Sequence, residues 1–485
     1  MTERLPISRT SRRTFLADLS TGISGIAIGS MLASDGLSSD TVLPQPHIIP
    51  RARNIIWLFM IGGTSHIESF DPKPALNQYA GKSIGDTPYK DVLSSPFLEN
   101  ERDFFDDLER KRRTTIFPMQ VGFRKRGESG LDVSDWWPHV GDCADDLSVI
   151  RSVWTEDNNH GAQLQFHTGR HRNDGFFPTI GAWVSYGLGT LNGNLPEFIV
   201  LGKPPADCCG GREAHRANYL GPQYDGIPLN VDPANATPYV APEKGVFVEE
   251  QRGQLDLVRQ LNRMTATRYP DDAAILARIR AYELAFHMQM AVPEVVSLTD
   301  ETKKIQELYG MNRPATKQFA HQLLTARRLV ERGVRFVQIY HGSNGGAGSW
   351  DSHRKLKVNH ARVCRQVDQP IAALLKDLKQ RGLLEETLVV WATEFGRTPG
   401  SENGDGRDHH PFGFSVWMAG GGIKGGIAHG ATDELGFHAV EHRHYVTDIH
   451  ATLLHQLGLN PHHLTIPGRK RLEREIGQPI QQVIA

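Results

Sequence analysis

The sequence predicts an α/β fold in which a mostly parallel central sheet carries helices on both faces. First, short continuous apolar runs, such as residues 388–391, are typical of strands that are buried on both faces. Second, these runs alternate along the chain with amphipathic stretches of helical length. Third, polar residues of ligand type follow directly after the predicted strand ends, which is where open α/β sheets place their sites.

The bulk composition predicts a large buried core and no general affinity for polyanions. Of 485 residues, 39% are hydrophobic, and 54 Lys and Arg nearly balance 55 Asp and Glu. This near-neutral balance gives no reason to expect binding to nucleic acid or to an anionic membrane surface. None of the four cysteines forms a CxxC pair, so a zinc–cysteine site is not expected. We expect the adjacent Cys208 and Cys209 to be free, packed thiols.

The first 45 residues read as an export signal region. Arg12 and Arg13, followed by Phe15 and Leu16, resemble a twin-arginine signal. The weakly apolar segment 19–33 is too short and too rich in glycine for a good membrane span. We therefore expect an exported protein, periplasmic or otherwise extracytoplasmic, with no stable membrane span after signal removal. Residues 46–485 are predicted to form the α/β domain.

The first predicted strand covers residues 54–61 and ends at a Gly-Gly pair. The loop that follows contains His66, which is either a site residue or part of an ordinary tight turn. A second strand over 145–154 leads to a helix over 161–168. Asn159 and His160 would lie at the N-terminus of that helix, where backbone N–H groups favour anions. His160 is a candidate phosphoryl acceptor or general acid, and the alternative is that it caps the helix.

The middle of the chain changes character. A short third strand is predicted over 197–201, and residues 203–316 are interpreted as an inserted helical segment with helices over 246–265 and 271–290. The remaining predictions are helices over 317–332, 367–381 and 447–457, and strands over 334–340, 388–391 and 414–418. A glycine-rich turn follows residue 418, but it lacks the Lys-Ser/Thr ending of a P-loop and predicts no nucleotide site.

Candidate metal ligands cluster in the loops after the last strands. Asp351 and His353 are two residues apart, so they converge on one ion only from a loop or an extended segment. Glu394 ends the apolar strand, and the following loop contains His409 and His410. With His66, these residues form a carboxylate and imidazole set suited to a divalent metal, zinc first, with manganese, iron or calcium as alternatives. The competing interpretation is a hydrogen-bonded polar network that connects loops.

Two arginines in the same region have two interpretations. Arg397 and Arg407 either hold an anionic substrate by paired hydrogen bonds or form ion pairs with Glu402 and Asp405. The first interpretation makes Arg397 a catalytic candidate together with Asn159 and His160.

Residues 368–396 resemble the metal-dependent alkaline phosphatase and sulfatase superfamily. The shared pattern is a helix that starts with Asp, a glycine-containing turn, and a Thr-Leu-Val-Val strand. More closely, the whole chain resembles an uncharacterised sulfatase-like family of twin-arginine-exported bacterial proteins. The motifs that carry this resemblance are GGTSHIESFDPKP, NNHGAQLQFHTG, WDSH, TEFGRTP, GRDHHP and IPGRKRLEREIGQPI. The resemblance implies an alkaline-phosphatase-like fold.

The departures from the superfamily pattern shape the functional expectation. Glu394-Phe395 stands where the superfamily has Asp-His, and Asn159 or His160 stands where its Ser, Thr or Cys nucleophile is placed. We therefore expect an exported, metal-dependent hydrolase of phosphate or sulfate esters that uses metal-activated water. Its substrate would be an anionic ester, for example one derived from polysaccharide. The alternatives are a non-catalytic binding or partner protein in an envelope complex, or an isomerase or phosphomutase on the same scaffold.

Overall fold

The computed structural model describes residues 46–102, 113–232, 248–268, 284, 287–288, 291–464, 466 and 477–485. Residues 46–485 group into one compact unit. The predicted signal region, 1–45, lies outside the described residues, and so does most of the predicted helix 271–290. Within the described part of the chain, no helix has both the length and the apolar character needed to cross a membrane.

Among the described residues, nine strands form the central sheet and six form small hairpins. In chain order the strands are β1 (Asn54–Met60), β2 (Phe123–Arg126), β3 (Leu131–Ser134), β4 (Leu147–Trp154), β5 (Phe198–Leu201), β6 (Ile227–Leu229), β7 (Phe336–His341), β8 (Thr387–Ala392), β9 (Gly396–Glu402), β10 (Gly406–His410), β11 (Phe414–Ala419), β12 (Ile427–His429), β13 (Ala431–Thr432), β14 (Ala439–Glu441) and β15 (His444–Tyr445).

The helices vary from one turn to seven. In chain order those described are α1 (Pro74–Gln78), α2 (Pro138–Gly141), α3 (Ala162–Thr168), α4 (Ile180–Leu188), α5 (Val248–Arg268), α6 (Lys303–Tyr309), α7 (Lys317–Glu331), α8 (Leu356–Gln380) and α9 (Val446–Gln456).

The sheet topology confirms the predicted α/β fold with a mostly parallel sheet. The strand order is β12-β4-β11-β8-β1-β7-β5-β6, and β15 also pairs with β4. Strand β11 runs antiparallel to both of its neighbours, β4 and β8. The other pairs of this sheet are parallel. Strand β1 lies at the centre, between β7 and β8, so the carboxyl ends of all three strands meet at one edge.

Helices cover both faces of the sheet, as the sequence predicts. Successive residues of β8 belong to different cores: Val389 and Trp391 pack on the side of α6, α7 and α8, whereas Leu388 and Val390 pack on the side of α3, α4 and α9. This alternation follows from the two-residue period of a strand. A strand that buries both of its faces carries an uninterrupted apolar run, which is the pattern of residues 388–391.

Three segments differ from the prediction. The GRDHHP segment is not a loop, because residues 406–410 form β10 and pair with β9 in an antiparallel hairpin. Helix α8 begins at Leu356 rather than at 367, because buried Leu356, His360 and Val363 extend its inward stripe by three turns. The predicted helical insertion starts with 3-10 turns and strand β6, which is the edge strand of the main sheet.

Candidate metal centre

The carboxyl ends of β1, β7 and β8 form the floor of the site. Glu394 follows β8 by two residues and is fully buried. The backbone N–H of Gly62, just after β1, donates to both oxygens of Glu394, at 2.9 and 3.1 Å. Gly62 has φ of +123°, and a side chain there would overlap the backbone at Trp350 and Asp351. Glycine is therefore required where the loop after β7 crosses the end of β1.

The β9–β10 hairpin brings a histidine above this floor. In its register His409 lies opposite Arg397, and His410 lies opposite Gly396. Neighbouring residues on a strand point to opposite faces, so these two histidines cannot share a site. His409 faces the loop that contains Asp351, whereas His410 stacks on Phe437 with a ring separation of 4.2 Å.

Three imidazoles surround the carboxylate of Asp351. Its Oδ1 atom lies 2.9 Å from Nε2 of His353 and 3.2 Å from Nε2 of His409. Its Oδ2 atom lies 3.4 Å from Nε2 of His160. The two Nε2 atoms of His353 and His409 are only 2.8 Å apart. Side chains that are up to 249 positions apart in sequence thus bring their ring nitrogens to one carboxylate.

The outer nitrogen of each ring is held by an acceptor. Nδ1 of His160 lies 3.0 Å from Glu394, Nδ1 of His353 contacts Glu402, and Nδ1 of His409 lies 3.0 Å from the carbonyl oxygen of Asn158. Carbonyl and carboxylate oxygens only accept, so each Nδ1 carries the proton. In a neutral ring the Nε2 atom then presents a lone pair towards Asp351.

Three lone pairs and a carboxylate make an electrostatically incomplete arrangement. Nε2 of His160 is buried and makes no hydrogen bond. The facing Nε2 atoms of His353 and His409 cannot both be acceptors at 2.8 Å unless a cation lies beside them. A buried polar atom that lacks a partner costs free energy, so the site calls for either extra protons or a bound cation.

The pKa values of these groups are shifted by burial and by the neighbouring charges. Burial works against protonation of His160 and His353, but their carboxylate neighbours outweigh it and raise the pKa of both. Burial and the nearby His160 hold the pKa of His409 well below its usual value. Burial would raise the pKa of Asp351, but Arg397 and the imidazoles outweigh it and hold that pKa well below its usual range.

The donor set fits a divalent metal. Among the described residues, ligand atoms of His160, Asp351 and His409 lie within 4.8 Å of one another, and so do those of His353, Asp408 and His409. Imidazole Nε2 with Nδ1 bound to a carboxylate or carbonyl is the usual arrangement of a metal-ligating histidine. Imidazole and carboxylate together suit zinc, manganese or iron.

Arg397 has a different role from the one predicted. Its guanidinium is fully buried, and it donates to the carbonyl oxygens of Gly62, Gly63 and Arg407 and to Oδ1 of Asp351, the last at 2.8 Å. These bonds position the Asp351 carboxylate and leave the arginine no open face for a substrate. The predicted partners are also wrong for Arg407, which forms a buried ion pair with Glu68 at 2.8 Å.

Two further predicted site residues lie apart from the imidazoles around Asp351. Nε2 of His66 bonds to the carbonyl oxygen of Gly436 at 2.9 Å, and burial lowers the pKa of His66 to about 4. The side chain of Asn159 accepts from the backbone N–H of His160 at 2.8 Å, which shapes the turn before α3. His160 precedes this helix and faces Asp351, whereas His167 packs against Phe59 in the core.

Sequence reasoning missed the residues that orient the candidate ligands. Gln163 donates to Glu394 at 2.8 Å and to the carbonyl oxygen of Ala347 at 3.0 Å, so it links α3 to the loop after β7. Its position three residues after His160 is a signal, because such pairs share a helical face. Glu402 holds His353 only because the hairpin folds back, and no local pattern predicts that contact.

Comparison with solved structures gives distant likenesses. The PsFucS1 sulfatase from Pseudoalteromonas sp. shares 13% identity with a TM-score of 0.31, over 91% of this chain and 72% of that one. The lipoteichoic acid synthase LtaP from Listeria monocytogenes shares 8% sequence identity with a TM-score of 0.36, over 89% of this chain and 78% of that one. The alkaline phosphatase from the Antarctic bacterium TAB5 shares 11% sequence identity with a TM-score of 0.31, over 84% of this chain and 99% of that one.

Comparison with curated proteins finds no match. A protein-family profile, described as a protein of unknown function (DUF1501), matches residues 52–484. That match spans the central sheet, its helices and the candidate metal centre. The chain belongs to the DUF1501 family of proteins of unknown function.

Proposed function

We propose that this chain is an exported, metal-dependent hydrolase of phosphate or sulfate esters. The observation that supports it most is the arrangement at Asp351, where three imidazole Nε2 atoms approach one carboxylate and each opposite Nδ1 is held by an acceptor. With each Nδ1 proton bonded to an outer acceptor, a neutral ring has only a lone pair at Nε2, and this is the tautomer of a metal-ligating histidine.

The proposed ligands are Asp351, His353, His409 and His160. Zinc is the first choice, with manganese or iron as alternatives, because imidazole nitrogens suit these ions and calcium takes oxygen ligands. When bound, such an ion supplies Lewis acidity and a water of lowered pKa.

The chain's own residues would orient the ligands. Glu394, bonded to Nδ1 of His160, Gly62 and Gln163, fixes the tautomer of His160. His160 then presents the lone pair of Nε2 towards Asp351, as a ligand of the same ion would. Arg397 fixes the Asp351 carboxylate in place. No Ser, Thr or Cys nucleophile is required for attack by water.

The ester class and the export route rest on the sequence. The segment 368–396 resembles the alkaline phosphatase and sulfatase superfamily, which motivates a phosphate or sulfate ester, for example one on an envelope polysaccharide. Arg12 and Arg13 with the apolar segment that follows motivate export by the twin-arginine route to the periplasm or another extracytoplasmic location.

One observation favours a second candidate function. Arg397 and Arg407 are both fully buried, and each is engaged by carboxylate and carbonyl partners. Neither is therefore available to hold an anionic substrate. A non-catalytic binding or partner protein in an envelope complex would retain the metal centre as a structural element and would need no such arginine.

Metal analysis combined with turnover distinguishes these functions. Protein purified without chelator should contain a stoichiometric transition metal and hydrolyse an aryl phosphate or aryl sulfate. Asp351→Asn and His409→Gln should lose both properties. His410→Gln is the matched control, since His410 is the neighbouring imidazole that packs on Phe437, and it should keep the metal. Metal without turnover across a panel of esters would favour the binding protein. No metal at all would remove the proposal.

A further inference from the structure

Two adjacent cysteines after β5 bring their thiols together. Cys208 and Cys209 belong to a short 3-10 turn, Asp207–Cys209. Their Sγ atoms are 2.8 Å apart. A disulfide bond joins two sulfur atoms at about 2.0 Å, so a small movement of these side chains brings the atoms to bonding distance. The pair can therefore close a disulfide while the rest of the fold stays in place.

The two thiols differ in their access to solvent. Cys208 is exposed, whereas only 3% of Cys209 is exposed. The prediction of two packed thiols is therefore wrong for Cys208. Burial, together with the Cys208 thiol and the charge of Glu394, raises the pKa of Cys209 well above its usual value. An accessible sulfur beside a buried one is the arrangement of an attacking cysteine and a resolving cysteine.

The backbone of the turn is held before the pair and permissive after it. The carbonyl oxygen of Ala206 accepts from the backbone N–H of Cys209 at 2.8 Å. The guanidinium of Arg172 donates to the carbonyl oxygen of Cys208. Gly210 follows with φ of +115°, a conformation that glycine adopts at little cost. A glycine at this position can absorb the backbone adjustment that closure of a disulfide ring demands.

A disulfide between adjacent residues is strained by its covalent geometry. Adjacent Cα atoms are about 3.8 Å apart, whereas disulfides usually join Cα atoms about 4.4–6.8 Å apart. Strained or exposed disulfides are easily reduced, and they are labile or regulatory rather than structural. We therefore expect a couple that opens and closes reversibly, not a permanent cross-link.

The turn packs on the helix next to the candidate metal centre. A Cβ added at Gly210 would lie 3.1 Å from Cβ of Leu164, which belongs to α3. Gln163, the preceding residue of this helix, donates to Glu394 at 2.8 Å. Closure of the disulfide thus changes a turn that contacts the helix after His160.

We propose that Cys208 and Cys209 form a redox-active dithiol that is oxidised by exchange with an organic disulfide. The Cys208 thiolate attacks one sulfur of that disulfide, forms a mixed disulfide and releases one thiolate. The Cys209 sulfur loses its proton and attacks the Cys208 sulfur, and a second thiolate leaves. The pair thereby loses two electrons and two protons, and the organic disulfide is reduced to two thiols. No proposed metal ligand takes part, so this proposal does not depend on the proposed function.

Incubation of the full chain with oxidised glutathione tests the proposal. The reaction is quenched with acid, the chain is unfolded, free thiols are alkylated, and the peptides are identified by mass spectrometry. In the wild type, the peptide that contains Cys208 and Cys209 should lack two hydrogen atoms, carry neither alkyl group nor glutathione, and return to the dithiol form with reduced glutathione. Cys143 and Cys364, which are buried in the core, should remain thiols and become alkylated.

Two variants separate the roles of the sulfur atoms. Cys209→Ala should accumulate a stable glutathione adduct at Cys208, because no second thiol displaces the glutathione. Cys143→Ala is the matched control and should form the disulfide to the same extent as the wild type. Alkylation of both Cys208 and Cys209 in the treated wild type would overturn the proposal, and this readout requires no variant to fold. An adduct at Cys208 that is equally abundant in the wild type and Cys209→Ala would also overturn it.

Discussion

At the scale of single residues, the candidate metal centre depends on groups that hydrogen-bond to the outer Nδ1 atoms of its three histidines. Glu394, Glu402 and the carbonyl oxygen of Asn158 each accept a hydrogen bond from Nδ1–H of one histidine. This sets all three tautomers, so that all three Nε2 atoms point inward. The orientation of a ligand therefore depends on residues that would never touch the ion.

Glu402→Gln should weaken metal binding while the ligands remain in place. The amide still bonds to Nδ1 of His353 but no longer supplies the negative charge that makes the ring a strong donor. We expect about a 10- to 100-fold loss of zinc affinity, measured by competition with a chelating dye. Glu386→Gln, at an exposed ion pair with Arg53, should not change the affinity. Equal affinity of Glu402→Gln and wild type would show that His353 is not a ligand.

A second residue-scale prediction concerns Glu197, whose burial raises its pKa to about 7 despite the opposing charge of Arg335. The folded state holds this proton up to about pH 7, and the unfolded state releases it near its usual value of 4.5. Stability is therefore lost as pH rises through this window. Glu197→Gln should raise the free energy of unfolding at pH 8 by about 1–3 kcal/mol and leave it nearly unchanged at pH 4.

Urea unfolding at both pH values measures this effect. A stabilisation of the same size at pH 4 and pH 8 would mean that the carboxylate is not the cause. A destabilisation at pH 8 would mean that the attraction of Arg335 exceeds the cost of burial.

At the scale of elements, the β9–β10 hairpin positions His409 and also packs against the loop that contains His353. A Cβ added at Gly406 would overlap the backbone carbonyl group of His353 and approach the backbone nitrogen of Arg354. The hairpin and the loop therefore meet backbone to backbone, and they tolerate no side chain between them. This contact is what places Nε2 of His353 next to Nε2 of His409.

Gly406→Ala should separate these two elements. We expect a loss of about 1–3 kcal/mol in the free energy of unfolding, from overpacking, together with weaker metal binding. Gly193→Ala is the matched control, since a Cβ there meets no atom within 4 Å. Thermal unfolding and zinc titration of both variants test this. Wild-type zinc affinity in Gly406→Ala would show that the hairpin does not position the centre.

The hairpin also shows where element prediction from sequence fails. The strand β8 is predictable because four consecutive apolar residues fill both cores. The sequence GRDHH contains no apolar residue and so no apolar alternation, which is why it reads as a loop. Knowledge that β10 is a strand would have separated His409 from His410 at once, because adjacent strand residues point to opposite faces.

At the scale of the whole molecule, the parallel sheet is the part that sequence predicts best. Its order brings the loops after β1, β7 and β8 to one edge, and this is why Asp351 and Glu394 lie near each other. The same rule does not identify the ligands. His66 follows the carboxyl end of β1, where a site residue is expected. Its Nε2 atom nevertheless bonds to the carbonyl oxygen of Gly436, a long-range contact that only the folded chain reveals.

The fold also buries neutral histidines, which makes it sensitive to acid. Burial lowers the pKa of His66 and His450 to about 4 and that of His360 to about 3. An unfolded histidine takes up its proton near pH 6.5, so the unfolded state binds more protons below that pH. Stability is therefore complete above about pH 6.5 and is lost as pH falls towards 4.

We expect each of these histidines to cost about 2 kcal/mol of stability between pH 7.5 and pH 5. Urea unfolding at the two pH values measures the total loss. His450→Gln should reduce it by about that amount, since the glutamine amide can still donate to the carbonyl oxygen of Phe166 but does not titrate. A pH dependence in His450→Gln that equals the wild-type value would contradict this assignment.

Anomalous X-ray scattering at the zinc edge shows whether an ion binds beside Asp351, in crystals of the full chain purified without chelator and supplied with Zn²⁺. We expect a peak about 2.0–2.2 Å from the carboxylate of Asp351 and from the Nε2 atoms of the histidines around it. A peak at His66 or His410, or no peak beside Asp351 while zinc is bound elsewhere, would contradict the account.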